Sequence, residues 1–277
     1  MKRFLGVMIP SMLLMWGCAP KVYTTIYAKS SRTEFASENV ITKGGVSISL
    51  KDLELNEYLK PEYSANVLVC WGSSMQTSSY TTTVNLFLKM ATYEVEIVNN
   101  TDHILSLSDS RIVLILPEKS EPIYACDKNY MLTKRLPCYD FAESQIYKRY
   151  PKSENLMCRE YTEKSLKLAI GAVVENKSFI SPKSEVMPGM SIKGYIVFPY
   201  DKENIKDGMI SFIDVKSNTN EAGQTILKTR FDFKVKQEVV YAKREYNQEQ
   251  QSYLPYEVIS EDEYNVSQQP KRQPVSK

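Results

Sequence analysis

"TYEVEIVNNTDHILSLSDSRIVLILPE", residues 92–118, is the clearest pattern in the chain. Tyr93, Val95 and Ile97 alternate with Glu94, Glu96 and Val98. A period of two sends neighbouring side chains to opposite faces, so this stretch reads as a strand with one dry face. Asn99-Asn100-Thr101-Asp102 then supplies a turn, because Asn and Asp bond their own backbone amides and tolerate left-handed backbone. Ile104-Leu105 and "RIVLIL" follow as further strands, and Pro117 stops the last one.

The same grammar extends in both directions. "VSISLKDLEL" (46–55) alternates at period two. "ANVLVCW" and "TTTVNLFLKM" have the β-branched and aromatic content of strands, with the polar loop "GSSMQTSS" between them. Later, "VMPGMSIKGYIVFPYD" gives a Pro-Gly turn and then an apolar strand from Ile192 to Phe198, and "GMISFIDVK" gives another from Ile210 to Val215. After the turn "SNTNEAG", "TILKTRFDFKVKQEVV" places Leu227, Thr229, Phe231, Phe233 and Val235 on one face and Ile226, Lys228, Arg230 and Asp232 on the other. Short strands with turn signals between them predict a mainly β fold, an antiparallel sandwich. The stretches "YEVEIVNNT…ILSLSDSRIVL", "PGMSIKGYIVFP" and "KTRFDFKV" resemble the immunoglobulin-like domains of many bacterial lipoproteins, over about half the chain. That resemblance implies a fold and no chemistry.

Residues 119–184 break the pattern. Asp140-Phe141-Ala142-Glu143 has the form of a capping box, Pro151 stops a helix through Tyr150, and Ser153 is placed to cap a second helix. Met157, Tyr161, Leu168 and Val173 give that helix an apolar stripe. The expectation is a helical, cysteine-containing insertion on the sandwich, serving either as a functional loop or as a lid over a sheet edge.

The N-terminus has its own logic. Lys2 and Arg3 precede an uncharged, mostly apolar run, Phe4 to Trp16. The run is shorter than the ~20 residues of a membrane span and suits a secretory signal. It ends Leu14-Met15-Trp16-Gly17-Cys18, which resembles the lipobox of bacterial lipoproteins at its two most restrictive positions, Gly17 and Cys18. Met15 and Trp16 depart from the usual leucine and small residue. The resemblance implies a diacylglyceryl group on the Cys18 sulfur, cleavage before it and acylation of the new amine, an anchor of two or three chains. Ala19, where an aspartate would favour the inner membrane, implies the outer membrane facing the periplasm. An ordinary secretion signal is the alternative. The resulting division is a signal peptide (1–17), a lipidated N-terminus and tether (18–39), a β-sandwich domain (40–240) with the insertion at about 119–184, and a polar, disordered tail (241–277).

Cys70, Cys126, Cys138 and Cys158 remain, an even number in an exported chain, and read as two disulfides. Three connectivities are open; Cys126–Cys138 as a local loop with Cys70–Cys158 as a long tie is the preferred one. No C-x-x-C occurs and His103 is the single histidine, so neither a metal site nor a cysteine–histidine nucleophile is expected. "PGMSIKG" lacks the glycine spacing of a nucleophile elbow. Asp52/Glu54 and Glu94/Glu96 read as solvated strand faces. Once Lys2 and Arg3 are set aside, basic and acidic residues balance, which gives no drive toward nucleic acid. No cofactor is expected. The expected function is that of a non-enzymatic lipoprotein bound to the membrane through its lipid and to another envelope protein through loops and a sheet edge. The alternatives are a ligand-binding lipoprotein, with its pocket between sandwich and insertion, and a periplasmic hydrolase.

Overall fold

Tyr93, Val95 and Ile97 are fully buried in the computed structural model, which describes residues 25–36, 38–58, 64–72, 77–85, 90–107, 110–126, 140–141, 143–144, 147, 153–175, 179–180, 184–219 and 225–269. In chain order the elements are strands β1 (Thr25–Phe35), β2 (Val40–Lys43) and β3 (Val46–Asp52), helix α1 (Leu55–Tyr58), and strands β4 (Ser64–Gly72), β5 (Thr77–Asn85), β6 (Met90–Asn99), β7 (Leu105–Ser106), β8 (Arg111–Ile115) and β9 (Ile123–Tyr124). There follow helix α2 (Leu156–Glu175), strands β10 (Glu185–Val186) and β11 (Ser191–Asp201), a 3-10 turn (Lys202–Asn204), strands β12 (Asp207–Thr219), β13 (Thr225–Asn247), β14 (Ser252–Tyr253) and β15 (Glu257–Ile259), and helix α3 (Glu261–Gln268).

The fold is mainly β and its two principal sheets are antiparallel. One runs β11-β6-β3-β2. The other is built on β13 and β12: β1 lies beside β13, β8 and β7 lie along β12, β9 and β10 extend these, and β14 and β15 pair with the end of β13. The sheets share one core. Ile48, Tyr93, Val95 and Phe198 from the first meet Phe212, Phe231 and Phe233 from the second. Phe35 of β1 meets Tyr93 of β6 edge-on across the interface, and Phe212 meets Phe233 within the second sheet. The alternation in β13 is realised: Phe231, Phe233 and Val235 are buried, whereas Lys228 and Arg230 are exposed.

The turn after β6 owes its shape to one side chain. Asn99 is fully buried. Its Nδ2 donates to His103 O (2.7 Å) and Val186 O (2.8 Å), and its Oδ1 accepts from Thr101 N and Thr101 Oγ1. The Pro-Gly turn before β11 closes onto the same residue, with Gly189 at φ +70° donating to Asn99 O. Glycine is needed there because L side chains rarely adopt that backbone.

A two-stranded ribbon, β4 with β5, lies outside the two main sheets and pairs with α2. α2 covers the edge of β4: Leu68 N donates to Ser165 Oγ (2.6 Å) and Cys70 N to Thr162 Oγ1 (3.0 Å). Cys70 and Cys158 form a disulfide across this contact, with their Cα atoms 5.1 Å apart. Cys126 is buried and disulfide-bonded; the expected pairing with Cys138 lies outside the described residues, as Cys138 does. Gly17, Cys18 and Ala19 also lie outside them.

Several expectations are corrected. Residues 25–35, placed within a tether, form β1, an eleven-residue strand on the second sheet. Residues 241–268, assigned to a disordered tail, complete β13 and add β14, β15 and α3. The polar sequence concealed these strands because main-chain pairing with β1, not side-chain burial, orders this end of β13. In α2 the cap is Asn155, whose Oδ1 accepts from Cys158 N; Ser153 instead accepts from Asn155 N. The buried stripe is Cys158, Thr162, Leu166, Ala169 and Ile170, while Met157, Tyr161 and Leu168 are exposed. The disulfide and the two hydroxyl bonds to β4 rotate the helix away from the orientation that simple apolar spacing suggests. The first expected helix, from Asp140, is described only in part.

Candidate functional site

β1 is the outermost strand on its side of the second sheet. Its pairing with β13 is unbroken from Thr25↔Glu245 to Phe35↔Val235. Antiparallel strands point alternate residues' N–H and C=O groups to opposite sides. Ala36 N, continuing the strand, donates to Lys234 O, so even positions face β13. Thr33 N donates the other way, to Asp52 Oδ2 (2.7 Å), so odd positions face outward. Tyr27, Lys29 and Ser31 therefore present their main chain to a side where no described strand pairs with them.

At Thr33 that edge is closed by a buried polar cluster. Lys202, on the 3-10 turn after β11, donates to Asp52 Oδ1 (2.6 Å) and to Leu53 O (3.2 Å). Gln237 Nε2 donates to Thr33 Oγ1 (2.6 Å) and, at longer range, to the Tyr93 hydroxyl (3.4 Å). The cluster joins the sheets, since Thr33 and Gln237 belong to one and Asp52 and Tyr93 to the other. Burial raises the Asp52 carboxyl above its ordinary range and outweighs the attraction of Lys202; burial likewise lowers the Lys202 ammonium. Burial, with the Asp52 charge, pushes the Tyr93 phenol far up, so it stays protonated. A buried lysine and carboxylate with shifted ionisation are the usual marks of a catalytic centre. Here the side chains are 3 % and 8 % exposed and bonded to one another, and Asp52 accepts from Thr33 N of the other sheet, so the arrangement acts as a clamp between the sheets.

Above the clamp the second sheet projects beyond the first and floors an open cleft of about 470 Å³. Ser31, Val239 and Tyr241 share one face of this floor, by the pairings Ser31↔Val239 and Lys29↔Tyr241. One wall is Glu54 to Asn56 at α1; the other is the C-terminal arm, from Tyr256 to Glu261. Asn56 binds the arm as a neighbouring strand would. Its Nδ2 donates to Tyr256 O (3.1 Å) and its Oδ1 accepts from Tyr256 N (2.7 Å). Tyr241 OH donates to Glu261 and Lys243 pairs with Glu263, fixing α3 to the same face. On the opposite face the Arg244 guanidinium lies 4.7 Å from the Tyr253 ring centre and 4.9 Å from that of Tyr256.

Of the described residues singled out from sequence as candidates, Glu54 lines the cleft and the others lie elsewhere. Cys70 and Cys158 tie the ribbon to α2. His103 lies in the turn after β6, beside Asp102. Glu94 pairs with Lys193 on a solvated face. Asp52 departs from its expected solvated face and is buried. The cleft lies between the sheet and the C-terminal arm. Sequence reasoning missed it because Ser31, Asn56 and Tyr256 meet only through long-range pairing. Among the described residues no cluster able to hold a metal ion is found, and no helix is long and apolar enough to cross a membrane. Comparison with protein-family models, curated proteins and solved structures finds none that matches this chain.

Proposed function

We propose that this chain is a non-enzymatic lipoprotein, anchored through Cys18 in the outer membrane and facing the periplasm, whose immunoglobulin-like sandwich serves as an interaction subunit of an envelope assembly. The observation that carries this reading is the outward edge of β1. An extended strand of a partner can pair with Tyr27, Lys29 and Ser31 and continue the sheet, a recognition mode in which main-chain bonds supply affinity. The position suits an anchored protein. A chain reaches at most about 3.6 Å per residue, so a lipid on Cys18 holds Thr25 within about 25 Å of the membrane surface. Lys29 and Arg32 on this strand are the kind of charge that discourages indiscriminate edge pairing.

Crosslinking in native envelopes tests the reading, with Cys18→Ala and Lys29→Pro as variants. Lys29 points its N–H outward, so proline there spares the bonds to β13 and blocks only an added strand. The expected result is one stoichiometric partner, delocalised or lost in Cys18→Ala and lost in Lys29→Pro at unchanged protein level and melting temperature. Absence of a partner in the unmodified protein, or full capture by Lys29→Pro, would overturn it. The cleft favours a second reading, a ligand-binding lipoprotein.

A further inference from the structure

We propose that the cleft between β13 and the C-terminal arm is a docking groove for a short, extended, basic segment of a partner protein. This rests on neither the lipid anchor nor the β1 edge.

Three observations on this surface converge. The first is a gap in main-chain pairing. β13 pairs with β12 up to Lys236 and with β15 from Tyr241 onward; among the described residues neither ladder covers Glu238 to Val240. Gln237 N donates to Lys206 O on that side, so by alternation Val239 directs its own N–H and C=O there. The second is a buried hydroxyl. Ser31 is 8 % exposed, lines the cleft, and its Oγ has no hydrogen-bond partner among the described residues. A buried polar atom left without a partner is costly, and a ligand atom at this point removes the cost. The third is charge. Glu54 and Glu261 line the cleft, whereas Glu238 and Arg32, opposite one another across the β1–β13 ladder, point by alternation to the other face of the sheet.

The floor between these groups is open, and the exposed valine Val239 lies on it. Free backbone, an exposed aliphatic floor and a negative rim together fit an extended peptide that alternates aliphatic and basic residues. A small neutral ligand would use the floor, leave the Val239 backbone without a partner and leave the negative charge of Glu54 and Glu261 uncompensated.

The test is fluorescence anisotropy with the full chain in detergent and the labelled peptide acetyl-Val-Lys-Val-Lys-Val-amide. The comparison peptides carry Glu in place of Lys, or N-methyl groups on alternate residues. The expected dissociation constant is on the order of 10–100 μM. Binding should weaken about tenfold or more with either comparison peptide, and in the double variant Glu54→Lys, Val239→Lys. Both altered residues are exposed, so an unchanged circular-dichroism melt verifies the fold of that variant. Equal binding of the Glu peptide, indifference to N-methylation, or undiminished binding by the variant would overturn the proposal. Removal of residues 270–277, which include Lys271, Arg272 and Lys277, is the final arm. A gain of about tenfold or more on that removal would make the chain's own basic end the occupant and would also overturn it. An unchanged affinity would support it.

Discussion

Lys202 and Asp52 show at single-residue scale how a polar pair on one sheet, bonded onward from Asp52 to Thr33 N of the other, can hold two sheets together without being a strong source of stability. Removing one partner of a buried ion pair leaves the other charge stranded, at about 3–5 kcal/mol. Lys202→Met is therefore expected to lower unfolding stability by about that amount at neutral pH. The sign of its pH dependence follows from Asp52. Its carboxyl is already above its ordinary value of 3.8, and loss of Lys202 removes the main groups that lower it. In the variant the folded state holds a proton that the unfolded chain has released. Stability of the variant then rises as pH falls through the folded pKa toward 3.8, and the gap to the unmodified protein narrows. Urea unfolding at several pH values reads this directly. Asp52→Asn with Lys202→Met should cost less than Lys202→Met alone; a double variant that is worse than the single would contradict the clamp. From sequence Asp52 read as a solvated acid, because alternation along β3 says nothing of a lysine arriving from 150 residues away. Asn99 is the opposite case. Its turn was legible because an Asn bonding its own neighbours is local chemistry, although Val186 O as a second acceptor was not.

The strands show which elements a sequence announces. β6, β8, β11 and the first half of β13 alternate or run apolar because one side meets the core, and burial writes itself into residue type. β1 and the second half of β13 are ordered mainly by each other's backbone, which leaves little compositional trace. The ribbon and α2 lie between these cases. Their strands were legible, but the disulfide decides which face of the helix is buried. Closing a long loop with a disulfide stabilises by about 4 kcal/mol in the chain-entropy account. Cys70→Ser with Cys158→Ser is thus expected to destabilise this unit by about 2–5 kcal/mol. Hydrogen exchange should rise at Leu68 and Cys70, whose amides depend on Ser165 and Thr162 being held in place. Amides of β6 and β11 should change little, since their ladder does not involve the ribbon. Equal deprotection of β6 and of the ribbon would show one cooperative unit instead.

At the scale of the whole molecule, one sheet outreaches the other, and the C-terminal arm closes over the excess. The core ends near the Asp52–Lys202 clamp; beyond it, the arm is attached largely by polar contacts near the surface. No residue of α3 is buried. Exposed ion pairs such as Lys243–Glu263 add little to stability, so the Asn56–Tyr256 clasp has a disproportionate part in holding the arm. Segments attached in this way open locally, without global unfolding. Asn56→Ala removes two hydrogen bonds, each contributing about 0.5–1.5 kcal/mol. The expected outcome is about a tenfold or greater rise in hydrogen exchange across β15 and α3, at an unchanged melting temperature. The loosened arm would also widen the cleft, so exchange at Tyr241 and Lys243, which pair with β15, should rise with it. A lowered melting temperature would place the arm within the cooperative core. Unchanged exchange would mean that Arg244, stacked on Tyr253 and Tyr256, holds the arm without the clasp.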